Sequence, residues 1–168
     1  MRRLIVAAAL FSAMTVSSPA LAQERTGCDQ FKWPLARERA LMAKPIDAAS
    51  GAAIADPFAA ALKIALAPQA DVALPLKPER ALREPSAYAG FLRFAAPPRA
   101  GTVRITLSAN AWIDVIQDDK ALPADEFSGV QGCEGLRKSV KFALAATPFV
   151  VQLSGASVQS IVVTVTQD

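Results

Sequence analysis

The sequence predicts an all-β sandwich of jelly-roll or Greek-key type with one short N-terminal helix packed on it. Three observations carry that expectation. Short runs of alternating apolar and polar residues recur along the chain, as in Val103, Ile105 and Leu107 against Arg104, Thr106 and Ser108. Such alternation marks half-buried strands, because successive side chains point to opposite faces of a sheet. Turn residues separate these runs at regular intervals, which suits a sandwich of about eight short strands. Strong helix formers gather in one place within the body of the chain, residues 35–44, directly after Pro34 and before Pro45.

The chain starts Met1, Arg2, Arg3, continues with a short apolar run, and reaches Ala20-Leu21-Ala22. A basic start, an apolar stretch and an Ala-x-Ala site are the parts of a secretory signal peptide. The stretch is diluted by Ser12, Thr15, Ser17 and Ser18, and a membrane span needs about 20 apolar residues. Residues 1–22 are therefore expected to be a cleaved leader, placing the mature protein in the periplasm or outside the cell. Residues 23–168 suit one domain, with helix and linker over 23–61 and the sandwich over 62–168. The 18 basic and 15 acidic residues include Arg2 and Arg3. Without the leader the chain is close to neutral, which gives no electrostatic case for nucleic acid. No segment after the leader is suited to span a membrane, and a monomer is the default expectation.

Cys28 and Cys133 are the two cysteines. In an oxidising compartment an even count favours a disulfide between them, against two buried thiols or an intermolecular bridge. The helix at 35–44 is amphipathic, with Leu35, Leu41 and Met42 toward the sandwich and Phe31 and Trp33 as anchors. Residues 46–58, rich in Ala with Gly51 and Pro57, read as a connection with little structure. Leu62, Ile64 and Leu66 form one strand, and Val72, Leu74 and Leu76 a second, confined to an edge by Pro75 and Pro78. Residues 77–86 read as a solvated loop and 88–94 as the third strand. Residues 101–117 read as a central hairpin broken at 108–110. Its second arm is apolar on both faces, which suits a covered strand. Residues 118–120 form a turn and 123–136 a long loop. The last strands carry Val140, Phe142 and Leu144, then Phe149, Val151 and Leu153, then Ile161, Val163 and Val165.

The chain has no histidine. That removes Ser-His-Asp and Cys-His triads, histidine-ligated zinc or iron, and most general-base catalysis. A carboxylate pair, as in glycoside hydrolysis, or a Ser-Lys arrangement remains open to an enzyme. Asp114, Asp118, Asp119, Asp125 and Glu126 are the densest acidic group. They have oxygen ligands suited to calcium, but no EF-hand spacing, and read as solvated turns. Asp114 stands apart, being in the most apolar strand. It is expected to pair with Arg37 or Arg39 of the helix, which would dock on the outer face of residues 112–117. Arg137, Lys138 and Lys141 read as a charged edge that blocks aggregation. Trp33, Trp112 and Tyr88 are candidates for ligand or partner contact, as a sugar-stacking platform if exposed, or else core aromatics. No catalytic residue, metal ligand or cofactor set is identified.

Residues 28–40 (CDQFKWPLARERA), 111–117 (AWIDVIQ) and 129–142 (GVQGCEGLRKSVKF) resemble a family of small exported α-proteobacterial proteins of unknown function. Some members of that family carry the label homogentisate 1,2-dioxygenase. That label implies a non-haem iron held by histidines and a carboxylate, and no catalytic residue carries over to a chain without histidine. The hairpin at 101–117 and the C-terminal strands are also broadly similar to sandwich accessory domains behind secreted proteases, a fold-level analogy. The expected function is accordingly an exported binding or accessory module for a protein or carbohydrate. The alternative is an enzyme, either a carboxylate-pair hydrolase or the labelled dioxygenase.

Overall fold

All but one of the alternating runs fold as strands, and they build the expected sandwich. The computed structural model describes residues 25–80 and 87–167. The leader and its cleavage after Ala22, and the part of the 77–86 loop beyond Arg80, lie outside the described residues. In chain order the strands are β1 (Ile46–Ala48), β2 (Ala53–Ile54), β3 (Leu62–Ala65), β4 (Ala67–Pro68), β5 (Tyr88–Phe94), β6 (Gly101–Leu107), β7 (Trp112–Gln117), β8 (Lys120–Leu122), β9 (Glu126–Gly129), β10 (Lys138–Leu144), β11 (Phe149–Ala156) and β12 (Ser160–Gln167). Helix α1 spans Ala36–Met42. One sheet has the order β1-β3-β12-β6-β10-β9, the other β2-β5-β11-β7-β8 with β4 beside β5. The pairings are antiparallel except β1 with β3 and β2 with β5.

Register brings the apolar rows together. In the first sheet Ile105 lies between Val140 and Val165. In the second, Leu92, Val151 and Val115 form one row that ends at Leu122. These rows face each other in one buried cluster that also holds Ile64, Val103, Leu107, Phe142, Leu153 and Val163. Removing this much apolar surface from water is the main force holding the sheets together. The turn between β7 and β8 puts Asp118 and Asp119 at φ 51° and 60°. Both sit in the left-handed region that a two-residue hairpin of this twist requires and that Asp tolerates.

Residues 123–136, expected to be a loop, supply β9, and four further sequence expectations are corrected. Residues 101–117 are not a hairpin: β6 lies in the first sheet and β7 in the second. Ser108 exchanges hydrogen bonds with Val162 of β12, from its backbone N–H at 3.0 Å and to its side chain at 2.9 Å. The chain then crosses the end of the core at buried Ala111. Alternation identifies a strand but not its partner, so a crossover reads like a hairpin. Residues 46–58, expected to be irregular, supply β1 and β2, two short edge strands ahead of Leu62. Residues 72–76 form no strand, consistent with Pro75 and Pro78 lacking ladder donors. They run instead over the outer face of the second sheet, where the Leu76 amide donates to Gln152 Oε1 at 3.1 Å.

The fourth correction concerns the helix. α1 packs on β12 of the first sheet, not on the outer face of β7. The anticipated pair of Asp114 with Arg37 or Arg39 is not formed, and both arginines are exposed. The ion pair has the opposite sense, because the helix supplies the carboxylate. Glu38, 1% exposed, accepts a 2.6 Å hydrogen bond from Thr166 Oγ1 and stands 3.4 Å from Arg104 Nη1. Polar outward-facing Thr106, Ser139, Thr164 and Thr166 are buried. The N-terminal segment therefore covers the face that alternation alone would leave to solvent. Trp33 helps to cover it, donating from Nε1 to Ser139 Oγ at 3.2 Å with Lys141 Nζ 4.5 Å from its ring centre.

Cys28 and Cys133 are bonded, with their Cα atoms 4.8 Å apart. Cys133 joins Leu35, Val130 and Leu136 in a second small core, against which Cys28, Phe31, Trp33 and Met42 pack. The disulfide thus ties the covering segment to the loop between β9 and β10.

Candidate ligand-binding cleft

β8 is the last strand of one sheet and β9 the last of the other. Between these edges the sandwich opens into a cleft of about 780 Å³. Ile113, Leu122, Val140 and Phe142 form its apolar floor, and Trp112 and Phe127 its aromatic walls. Phe127 is 60% exposed, unusually so for a large apolar side chain that faces Val140 across the ladder. Among the described residues, five cations stand around the rim, Arg25, Lys32, Arg80, Arg137 and Lys138, with the carboxylate of Glu79.

Several of these groups are held in place. Trp112 donates from Nε1 to Asp114 Oδ1 at 2.8 Å, and Asp114 Oδ2 accepts from Gln152 Nε2 at 2.9 Å. Gln152 is fixed in turn by the Leu76 amide. This relay satisfies a buried carboxylate and sets the orientation of the indole, as buried polar groups require. Arg80 and Lys138 both lie over the Trp112 ring, at 5.4 and 5.2 Å from its centre. Cations attract the negative face of an aromatic ring. Lys138 Nζ donates to the Ala111 carbonyl at 3.1 Å, and Arg137 Nη1 to the Val130 carbonyl at 2.9 Å. Lys32 Nζ stands 5.7 Å from the Phe127 ring centre.

Lys138 has its pKa lowered from the ordinary 10.5 to about 8. Burial is the largest cause, followed by repulsion from Arg80 and then Arg137, with Asp114 pulling the other way. Desolvation and like charge both disfavour the ammonium form.

The residues singled out in the sequence are dispersed. Trp112 lines the cleft, while Trp33 packs in the second small core. Tyr88 lies on β5, where its hydroxyl accepts from Gln159 Nε2 at 2.9 Å. The three rings form no shared platform. The acidic group is dispersed too: Asp114 is buried, Asp118 and Asp119 lie exposed in a turn, and Glu126 pairs with Lys141 at 3.1 Å. Among the described residues, no group of three or more His, Cys, Asp or Glu side chains is placed to hold a metal.

Sequence reasoning passed over the cations of the cleft. Arg137, Lys138 and Lys141 are not a charged edge, because β10 lies between β6 and β9. A signal was present nonetheless. Lys138 shares the parity of Val140, Phe142 and Leu144, so it falls in the inward row. Lys141 has the opposite parity and faces outward. Arg25, Lys32 and Arg80 lie in irregular segments and gave no such signal. No protein-family profile, curated protein or solved structure matches the chain.

Proposed function

We propose that the protein is an exported, non-catalytic binding or accessory module that holds its ligand in the cleft between β8 and β9. The observation that carries the reading is the fixed cationic and aromatic lining of a cleft of about 780 Å³. Ligand sites are typically concave and mostly apolar, with a few placed polar groups. The absence of histidine from the sequence argues against an iron dioxygenase built on histidine ligands. A carboxylate-pair hydrolase requires two converging carboxylates, and among the described residues Glu79 is the one that lines this cleft. Export is supported by the leader pattern and by a disulfide of the kind that persists in oxidising compartments. Protein and carbohydrate remain the ligand classes inferred from the sequence.

Native mass spectrometry of the protein after incubation with periplasmic extract tests the reading. The expected result is a ligand carried intact, and lost on Trp112→Ala. A chemically altered ligand would establish an enzyme instead, and retention by Trp112→Ala would move the site elsewhere. Export is tested by fusing residues 1–24 to a reporter phosphatase that is active only outside the cytoplasm. An inactive fusion removes that part of the proposal.

A further inference from the structure

The chemistry of the cleft narrows the ligand class, on the reading that the cleft is the binding site. We infer that it takes a small amphiphilic anion: one acidic head, carboxylate, sulfonate or phosphate, on an apolar body. The floor and the rim differ in character, and that difference motivates the inference. Ile113, Leu122, Val140 and Phe142 offer only carbon, and Phe127 leaves most of its ring uncovered. Ile113, Val140 and Phe142 are already buried, so the apolar surface that an apolar body would remove from water belongs to exposed Phe127 and half-buried Leu122 and Trp112. Among the described residues, the rim places five cations around this floor with one carboxylate among them. Arg80 and Lys138 share one face-rich ring, Trp112, and Arg80 and Arg137 both repel the Lys138 ammonium. Like charges gathered this way cost free energy in the empty cleft, and an anionic head relieves that cost.

Neutral sugars and cationic ligands fit less well. A neutral sugar leaves the repulsion in place, and a cation adds to it. A bare inorganic anion has nothing to place on the floor. Asp114 acts as a positioning residue. It holds the Trp112 indole and, through its charge, keeps Lys138 more protonated than burial and Arg80 alone would.

The matched pair 8-anilinonaphthalene-1-sulfonate and N-phenyl-1-naphthylamine tests the inference, since the two share a ring body and differ in the sulfonate. Fluorescence titration at pH 7 is expected to give roughly 10-fold tighter binding of the sulfonate, the size of one hydrogen bond to a charged group. Lys138→Met should weaken the sulfonate by about that factor and leave the neutral dye unchanged. Inorganic sulfate alone should compete only weakly. Phe127→Ala, at an exposed position that does not threaten folding, should weaken both dyes.

Equal binding of the two dyes, unaffected by Lys138→Met but reduced by Phe127→Ala, overturns the anionic class and leaves the cleft as a binding site. Binding of either dye that is unaffected by both Phe127→Ala and Trp112→Ala overturns the cleft itself. Failure of both dyes to bind overturns both.

Discussion

Replacing Glu38 with alanine tests how the N-terminal segment is attached. Glu38 is 1% exposed, and the Thr166 hydroxyl that donates to it at 2.6 Å is buried as well. Arg104, 3.4 Å away, has a side chain 16% exposed and also donates to the Pro34 carbonyl at 3.1 Å. Removing one partner of a buried pair costs about 3–5 kcal/mol, mostly because the other charge is left desolvated. Arg104 keeps some water and the Pro34 carbonyl, so the lower end applies, about 3 kcal/mol. The Thr166 hydroxyl loses its acceptor, a loss contained in that figure and not added to it. Glu38→Met combined with Arg104→Met should cost less than Glu38→Ala alone, because no unpaired charge remains. Urea unfolding at pH 7, followed by tryptophan fluorescence and far-ultraviolet circular dichroism, measures both variants. Trp33 donates to Ser139 beside this pair, so local release of the segment appears first in fluorescence. A Glu38→Ala variant within about 0.5 kcal/mol of wild type would refute the reasoning, since that is the scatter of ordinary surface substitutions. So would a double variant as unstable as the two single losses combined.

Three further outcomes are expected. Replacing Cys28 and Cys133 by serine opens a loop whose ends are 105 residues apart, and should lower stability by about 4–5 kcal/mol in the chain-entropy picture; an unchanged urea midpoint would contradict it. Lys138 has a folded pKa of about 8 against 10.5, so the unfolded chain binds more protons between those values and stability rises with pH across that window. Lys138→Met should therefore exceed wild type at pH 7 by up to about 3 kcal/mol, less the lost bond to Ala111, with the gap closing by pH 10.5. A gap that does not change with pH would refute the burial and repulsion assigned to that amine. Gln117 donates to the Ala145 and Thr147 carbonyls and accepts from the Ala145 amide; Gln117→Leu should cost about 2 kcal/mol by leaving those groups short of partners, and thermal melting at the wild-type temperature would exclude it.

By itself the sequence marked the longer strands and the inward row of each, but not the short strands β1, β2 and β9, nor the burial of the outward face at Thr106, Ser139, Thr164 and Thr166. Period-two alternation is local, carried by pleat geometry at each residue, so Val103, Ile105 and Leu107 or Val140, Phe142 and Leu144 declare their inward row without any partner. The same rule places Lys138 inside and Lys141 outside. The cysteine count in an oxidising compartment favoured the bond from Cys28 to Cys133. Tertiary structure alone decided which strands pair. β6 and β7 are separated by a few residues yet lie in different sheets, because the Ser108 bonds to Val162 and the burial of Ala111 belong to the assembled core. The helix shows the same limit. Its apolar stripe fits either sheet, and the choice falls to Glu38 meeting Thr166 and Arg104, residues distant in the chain. The cleft is the extreme case, because Arg25, Lys32, Arg80, Arg137 and Lys138 come from separated segments and meet only where two sheet edges part. Side-chain direction along a strand is a property of the backbone, whereas the company a charge keeps depends on packing and desolvation summed over the whole fold.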